Sequence, residues 1–283
     1  MKLWRARPKV HLRAYEGVLG TSAELVLRLD PKVAAGPIFD RMLAEIDRLV
    51  AIFSVYDPDS ELMRWQATSG PQAVSEQLAR VLTFAEEMRV RTGGAFNPAV
   101  QSRLADPESA VEVPSGPTYS VDLAALTATR LSAEPLTLNG VAKGAVIDAA
   151  VEVAMREGAE GVLVNIGGDL RQGGKALAPV VISDPRSGAE NAEPVASLPP
   201  TLGAFATSGE YRRGEHIVGF DDGLASVTVL APTAMEADAW STALAACEFS
   251  QAKSLAEVNN ISSLHVFSDG KFWLSPAWVL SFQ

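Results

Sequence analysis

The run GVLVNIGGD, residues 161–169, constrains the fold more than any other stretch of the chain. A short apolar run ended by paired glycines reads as a buried strand closed by a tight turn. Similar runs recur: VLGTSAELVLRL at 18–29, PVVISDP at 179–185, GAFATSG at 203–209 and ASVTVLA at 225–231. LHVFSDGKFWL, 264–274, reads as a hairpin around an Asp269-Gly270 turn. Helical periods alternate with these strands. Pro31 and Lys32 open a helix carrying Phe39, Met42, Ile46, Leu49 and Phe53 on one face. Ser75 caps a second, with Leu78, Val81, Leu82, Ala85 and Met88 inward, which stops at Gly93-Gly94. A third runs from about Ala145 to Arg156, after the loop TLNGVAKG, and ends at Gly158. Thr233 and Glu236 make a T-x-x-E capping box that starts a fourth. Strands interspersed with a few long helices predict an α+β fold. Residues 102–135 carry weak strand signals, and 186–200 reads as a mobile surface loop.

At 283 residues the chain can bury a full core without staples. It divides into an N-terminal arm, residues 1–17, and a single domain, 18–283. The lone Cys247 excludes an internal disulfide and a multi-cysteine zinc site. A net charge of −10 argues against binding a phosphate backbone, so nucleic acid is not an expected partner. No apolar run reaches the ~18 residues of a membrane span. The start, MKLWRARPKVHLRAYEG, is basic but lacks a signal peptide's apolar core and cleavage site. Taken as it stands, the chain is expected in the cytoplasm, or in the periplasm if a leader has been removed.

Chemistry is sparse and localised. Asp238 and Thr242 stand four apart in the apolar helix ADAWSTALAA, so their oxygens stack on one face. Such a pair can hold a hard cation or share a hydrogen bond. GVAKG, 140–144, opens a helix beside Lys143 and reads either as an anion site or as an ordinary loop. It lacks the spacing of a phosphate-binding Walker loop. NIGGD is either a tight turn or a place of close ligand approach. Of three histidines, His265 lies in an alternating strand and reads as structural, and His11 has no partner in view. His216, in a polar segment after a TSG turn, is the functional candidate.

Taken in order, these segments resemble the ApbE family of FAD:protein FMN transferases, also described as thiamine-biosynthesis lipoproteins. LGT (19–21) is similar to the family's Met-Gly-Thr, and FSVYDPDSELMRW (53–65) to its Ser-rich acidic segment. GGAFNPAV (93–100) resembles G-x-F-D-P-x-V, and LTLNGVAKGAVID (136–148) resembles L-x-L-x-G-I-A-K-G-x-x-x-D. VNIGGDLRQGG (164–174), ATSGEYRR (206–213), HI (216–217) and SVTVLAPTAMEADAWSTAL (226–244) complete the series. The resemblance implies an α+β fold like the T-fold and a Mg²⁺-dependent cleavage of FAD. FMN would pass to a Thr or Ser hydroxyl of an acceptor protein, with release of AMP; hydrolysis of FAD to FMN and AMP, or FAD binding alone, are the alternatives. By position, Asp238, Thr242 and the Gly140 carbonyl match metal ligands. Leu19, Tyr56, Ala95, Phe96, Asn97, Lys143, His216 and Ile217 match flavin- or nucleotide-contacting positions. His216 would be the general base, and Asp238 the other catalytic residue. The chain departs from the pattern at Leu19, Asn97 and Asn139. It also departs in HIVGFDDG (216–223), where Gly219-Phe220 replaces Asp-Pro.

Overall fold

A computed structural model of the chain describes residues 7–106, 108, 111–187, 193–209, 217–221 and 223–282. The chain opens with β1 (Lys9–Val18) and β2 (Thr21–Leu29), followed by α1 (Ala35–Phe53) and the short α2 (Glu61–Gln66). Then come β3 (Pro71–Ala73), α3 (Glu76–Arg91), α4 (Gln101–Ala105), β4 (Tyr119–Asp122), β5 (Thr127–Arg130) and α5 (Asn139–Arg156). Next are β6 (Gly161–Ile166), β7 (Asp169–Gly174), β8 (Val180–Ile182), β9 (Ala196–Leu198), β10 (Gly203–Ser208) and β11 (Leu224–Ala231). The chain closes with α6 (Ala234–Ala245), α7 (Phe249–Val258), β12 (Ser262–Phe267), β13 (Phe272–Leu274) and α8 (Pro276–Ser281).

Eight strands form one sheet in the order β1-β2-β6-β7-β10-β11-β12-β13, and every neighbouring pair is antiparallel. Smaller sheets, β3-β5-β4 and β8-β9, flank it. The fold is α+β, as the alternation of strand and helix periods predicts. The pleat sorts the core into two layers. On β10, Ala204 and Ala206 join the main core under α1, α5 and α6, while Phe205 points to the second, with Val180, Ile182, Leu264, Val266 and Trp278. On β2 the alternate residues Ala23, Leu25, Leu27 and Leu29 are all buried.

Register gathers two chain reversals and the end of a third strand at one end of the sheet. Val18 faces Thr21 across the turn Leu19-Gly20, Ala23 faces Ile166, and Ile166 faces Asp169 across Gly167-Gly168. Phe205 faces Leu170, so β10 leaves the sheet at the same end. Both residues of the second turn have positive φ, 62° and 98°, which glycine adopts without strain.

Several boundaries differ from the sequence expectation. The strand expected over 18–29 begins at Thr21, because Leu19 (φ 51°) and Gly20 (φ 73°) turn the chain. Residues 9–17, set off as an arm in the sequence, run as the edge strand beside β2. The first helix starts at Ala35, four residues after Pro31. Within 186–200, residues 196–198 pair with β8, and 188–192 lie outside the described residues. The largest correction is α5, which begins at Asn139 rather than Ala145, so GVAKG is helix and not the loop before it. The caps at Ser75 and Thr233 are as expected: Ser75 Oγ accepts the Leu78 N–H and Thr233 Oγ1 the Glu236 N–H, each at 3.2 Å. Among the described residues no helix is long and apolar enough to cross a membrane.

Candidate functional site

The site is built on the contact between α5 and α6, which meet at three levels one helical turn apart. At the first, a Cβ placed on Gly140 would lie 3.0 Å from Thr242 Oγ1 and 3.1 Å from the Phe96 ring. At the second, the Gly144 N–H donates to Asp238 Oδ2 at 3.1 Å, and a Cβ on Gly144 would stand 2.3 Å from the Ala234 carbonyl oxygen. At the third, Asp148 accepts the N–H groups of Ala234 at 2.8 Å and Met235 at 2.9 Å. Positions 140, 144 and 148 thus meet 242, 238 and 234, so the helices run antiparallel with a four-residue period on each. Only glycine at 144 permits this approach of two backbones, which explains a glycine in the interior of a helix despite its cost.

The carboxylates around this contact are buried and engaged. Asp238 is 4% exposed and Asp148 9%. Asp148 also meets Arg171 Nη1 of β7 at 2.8 Å. Burial pushes the Asp148 carboxyl above the usual carboxylate range, opposed by the two helix N–H donors and by Arg171. Lys143 reaches Asp169 Oδ2 at 2.5 Å, and Asp169 Oδ1 accepts the Thr207 N–H at 3.0 Å, tying α5 to β7 and β10. Ser208 and Ser241 share a hydrogen bond at 2.9 Å, joining β10 to the middle of α6.

The other sequence candidates fall around this core. Phe96 is buried, with its ring against Gly140, so it supports the first turn of α5. Ala95 packs beside it on the main core. Asn97 spends both ends of its amide on the segments flanking α4, donating to the Pro114 carbonyl and accepting the Ala99 N–H, each at 2.9 Å. Tyr56 is 85% exposed, and its hydroxyl accepts from Asn139 Nδ2 at 3.2 Å, which places an open aromatic ring at the start of α5. Leu19 occupies the β1–β2 turn in the left-handed region, uncommon for a leucine. Ile217 packs on the core, and His216 lies outside the described residues. The Gly219-Phe220 departure has a structural reading. Gly219 has φ 81°, and a Cβ there would lie 2.8 Å from the Ala246 carbonyl, while Phe220 packs on the core. Asp221 then caps α7 by accepting the Phe249 N–H at 3.0 Å.

A model of the ApbE family matches residues 19–265. The chain belongs to the ApbE family. Its curated relatives include the FAD:protein FMN transferase of Escherichia coli K12, 28% identical over 84% of this chain and 79% of the relative. That of Haemophilus influenzae is 31% identical over 75% of this chain and 73% of the relative. Among solved structures, the flavin transferase ApbE from Vibrio cholerae aligns with a TM-score of 0.81 at 24% identity, covering 97% of this chain and 99% of that one. The apo form of the Pseudomonas stutzeri flavinyl transferase ApbE aligns with a TM-score of 0.82 at 21% identity, covering 100% and 99%. At these identities the structures show the fold.

Two clefts open elsewhere on this ApbE chain. One of about 340 Å³ is lined by Arg91, Glu236, Trp240 and Asn260, and one of about 440 Å³ lies beside α2 and Ser75. Neither is lined by a candidate residue, and Glu236 and Trp240 project from the side of α6 away from Asp238 and Thr242. Among the described residues no three His, Cys, Asp or Glu side chains cluster as a metal centre. The Gly140, Asp238 and Thr242 set is of another kind, with a single carboxylate, a hydroxyl and a main-chain carbonyl. Sequence reasoning passed over Gly144, Asp148 and Asp169 as site residues. For Gly144 and Asp148 the signal was the four-residue period they share with Gly140, which repeats that of Asp238 and Thr242; Asp169 stands outside it.

Proposed function

We propose that this chain is a Mg²⁺-dependent FAD:protein FMN transferase, acting on a Thr or Ser hydroxyl of an acceptor protein and releasing AMP. The observation that supports it most is the juxtaposition of Gly140, Asp238 and Thr242 from two helices about a hundred residues apart, in a chain of the ApbE family. An all-oxygen donor set with one carboxylate suits Mg²⁺, which completes its shell with phosphate oxygens and water. The bare Cα of Gly140 leaves the approach to Thr242 Oγ1 open, as such a set requires. Asp238, Thr242 and the Gly140 carbonyl would hold the ion. When bound, Mg²⁺ neutralises charge on the diphosphate and on the departing AMP.

The chain's own groups supply the rest. The Gly144 N–H donates to Asp238 and orients that carboxylate. Lys143, held by Asp169, adds positive charge at the start of α5, where the helix dipole favours an anion. Tyr56 offers an exposed ring for a flat heterocycle. In the transfer, the acceptor hydroxyl oxygen bonds to the FMN phosphorus, the bond from that phosphorus to the bridging oxygen breaks, and AMP leaves with that oxygen. His216 takes the hydroxyl proton in this reading. His265 is fully buried and His11 lies in the edge strand, which supports the choice.

The test incubates the protein with FAD and Mg²⁺, with and without a flavin-acceptor protein bearing a candidate Thr. AMP release together with an FMN-sized mass gain on the acceptor is the expected result. AMP with free FMN and no adduct would make the chain an FAD diphosphatase. Bound but intact FAD in the presence of a competent acceptor would make it a flavin carrier, and no FAD binding would overturn the reading altogether.

A further inference from the structure

The first turn of an α-helix presents four N–H groups with no partner inside the helix. In α6 those of Ala234, Met235 and Glu236 all have one. Thr233 serves the last of the three in the ordinary way, its Oγ1 accepting the Glu236 N–H, and its carbonyl accepts the Ala237 N–H as the first bond of the helix itself. The first two, of Ala234 and Met235, are taken by a residue of another helix, Asp148, one oxygen to each. Arg171, from β7, holds the same carboxylate from the sheet side. The end of α6 is therefore tied to a fixed point on α5 and to the sheet.

Helices packed on small residues can slide along one another, because glycine and alanine offer shallow ridges. The α5–α6 contact is of this kind, with Gly140 and Gly144 on one side and Ala234 on the other. A two-point hydrogen bond to a helix end resists such sliding, since N–H donors fix both distance and direction. Asp148 stands one turn from the level of Asp238 and two from that of Thr242 and Gly140.

We propose that Asp148 is a positioning residue for the Gly140–Asp238–Thr242 site: its grip on the first turn of α6 sets the axial register of α6 on α5, and so the gap into which the cation fits. This inference rests on the metal-dependent reading above. Asp148 touches neither the ion nor the substrate in it; it acts through the placement of α6.

The test is a Mn²⁺ titration of the protein saturated with FAD and without acceptor. Free Mn²⁺ is read by electron paramagnetic resonance, with FAD alone as the blank. Asp148→Ala is expected to weaken Mn²⁺ binding about tenfold or more, while FAD affinity measured without metal is unchanged. Val153→Ala, which trims a buried residue of the same helix, should lower thermal stability without moving Mn²⁺ affinity. Asp148→Asn keeps the volume and one acceptor; it should fall between the two and carries the test if the alanine variant does not fold. Mn²⁺ affinity in the Asp148 variants equal to that of Val153→Ala would reduce Asp148 to a structural cap and overturn the inference. Absence of saturable Mn²⁺ binding by the unaltered protein would overturn the metal-dependent reading first, and the inference with it.

Discussion

The Asp238 carboxylate accepts the Gly144 backbone N–H at 3.1 Å, across 94 residues of sequence. The bond fixes a carboxylate against the helix turn that carries Gly140, and it exists because residue 144 has no side chain. A larger residue there would separate the helices before the bond could form. Packing and site chemistry are thus set by the same atom-level fact, and the two glycines of GVAKG are expected to respond differently to substitution.

A Cβ on Gly144 meets backbone, 2.3 Å from the Ala234 oxygen and 2.6 Å from the Met235 Cα, and neither can rotate away. Gly144→Ala should cost at least about 3 kcal/mol by overpacking and lower the midpoint of a denaturant melt accordingly. A Cβ on Gly140 meets side chains, at 3.0 Å and 3.1 Å from Thr242 and Phe96, which can yield. There the strain of about 1 kcal/mol is largely offset by alanine's better helix propensity, itself up to ~1 kcal/mol. Gly140→Ala should therefore fold normally yet lose FAD turnover, because Thr242 is displaced. Equal stability losses in the two variants would contradict this account of the contact.

Thr242 separates hydroxyl from methyl. Thr242→Val keeps the shape and removes the oxygen; AMP release under saturating FAD and Mg²⁺ should drop roughly 100-fold, the size of a lost charge-stabilising contact. Thr242→Ser keeps the oxygen and removes the methyl that crowds position 140. Its rate should stay within about fivefold of the unaltered protein, an effect of ~1 kcal/mol. A serine variant as slow as the valine variant would show that Thr242 acts by packing and not through its hydroxyl.

How much of this was open to inspection in the sequence depends on the distance over which each signal acts. Local signals survived: the Ser75 and Thr233 caps, the Gly167-Gly168 and Asp269-Gly270 turns, and the structural reading of His265 all rest on neighbours within a few residues. The start of α5 did not, because Asn139, Gly140 and, one turn on, Gly144 each disfavour helix by ~0.5–1 kcal/mol relative to alanine. Packing against α6 overrides that local preference, and nothing near residue 140 announces a partner at 242. Asp238 and Thr242 were visible as a pair on one face, yet only the tertiary contact shows what that face meets. Lys143 was legible as a lone positive charge; its pairing with Asp169 follows from the position of the β6–β7 hairpin beneath α5.

His265 makes stability fall with acid. It is fully buried among Phe249 and Trp273, with Nε2 3.3 Å from Ser263 Oγ. Among the described residues its Nδ1 has no hydrogen-bond partner. Burial lowers its pKa from 6.5 to about 4. The unfolded chain takes a proton on this ring below pH 6.5, while the folded chain resists until about pH 4. Unfolding therefore binds a proton within that window, and stability falls as pH drops through it. The total loss is roughly 3 kcal/mol, complete by about pH 4. Urea melts between pH 7.5 and 4 should show it, and His265→Phe, which suits the aromatic surroundings, should flatten that part of the profile. An unchanged profile would assign the acid sensitivity to other groups.

The Lys143–Asp169 pair sets a final test, because the same contact has a structural and an electrostatic side. Asp169 is almost fully buried, and its carboxylate faces the Lys143 ammonium at 2.5 Å and the Thr207 N–H at 3.0 Å. Lys143→Met preserves the aliphatic stem and leaves the buried carboxylate short of its counter-charge, an expected loss of about 3 kcal/mol. Asp169→Asn retains an acceptor for Thr207 but leaves the ammonium short of its charge partner. The double variant buries neither unbalanced charge, so it should be more stable than the sum of the single losses predicts, with a coupling of roughly 2 kcal/mol. Denaturant melts of the four proteins measure this cycle. Activity should divide differently: both proteins lacking Lys143 should bind FAD more weakly, whereas Asp169→Asn keeps the ammonium and should change affinity less. A coupling near zero would show that the two side chains are neighbours without being partners, and the positive charge at the start of α5 would then need another support.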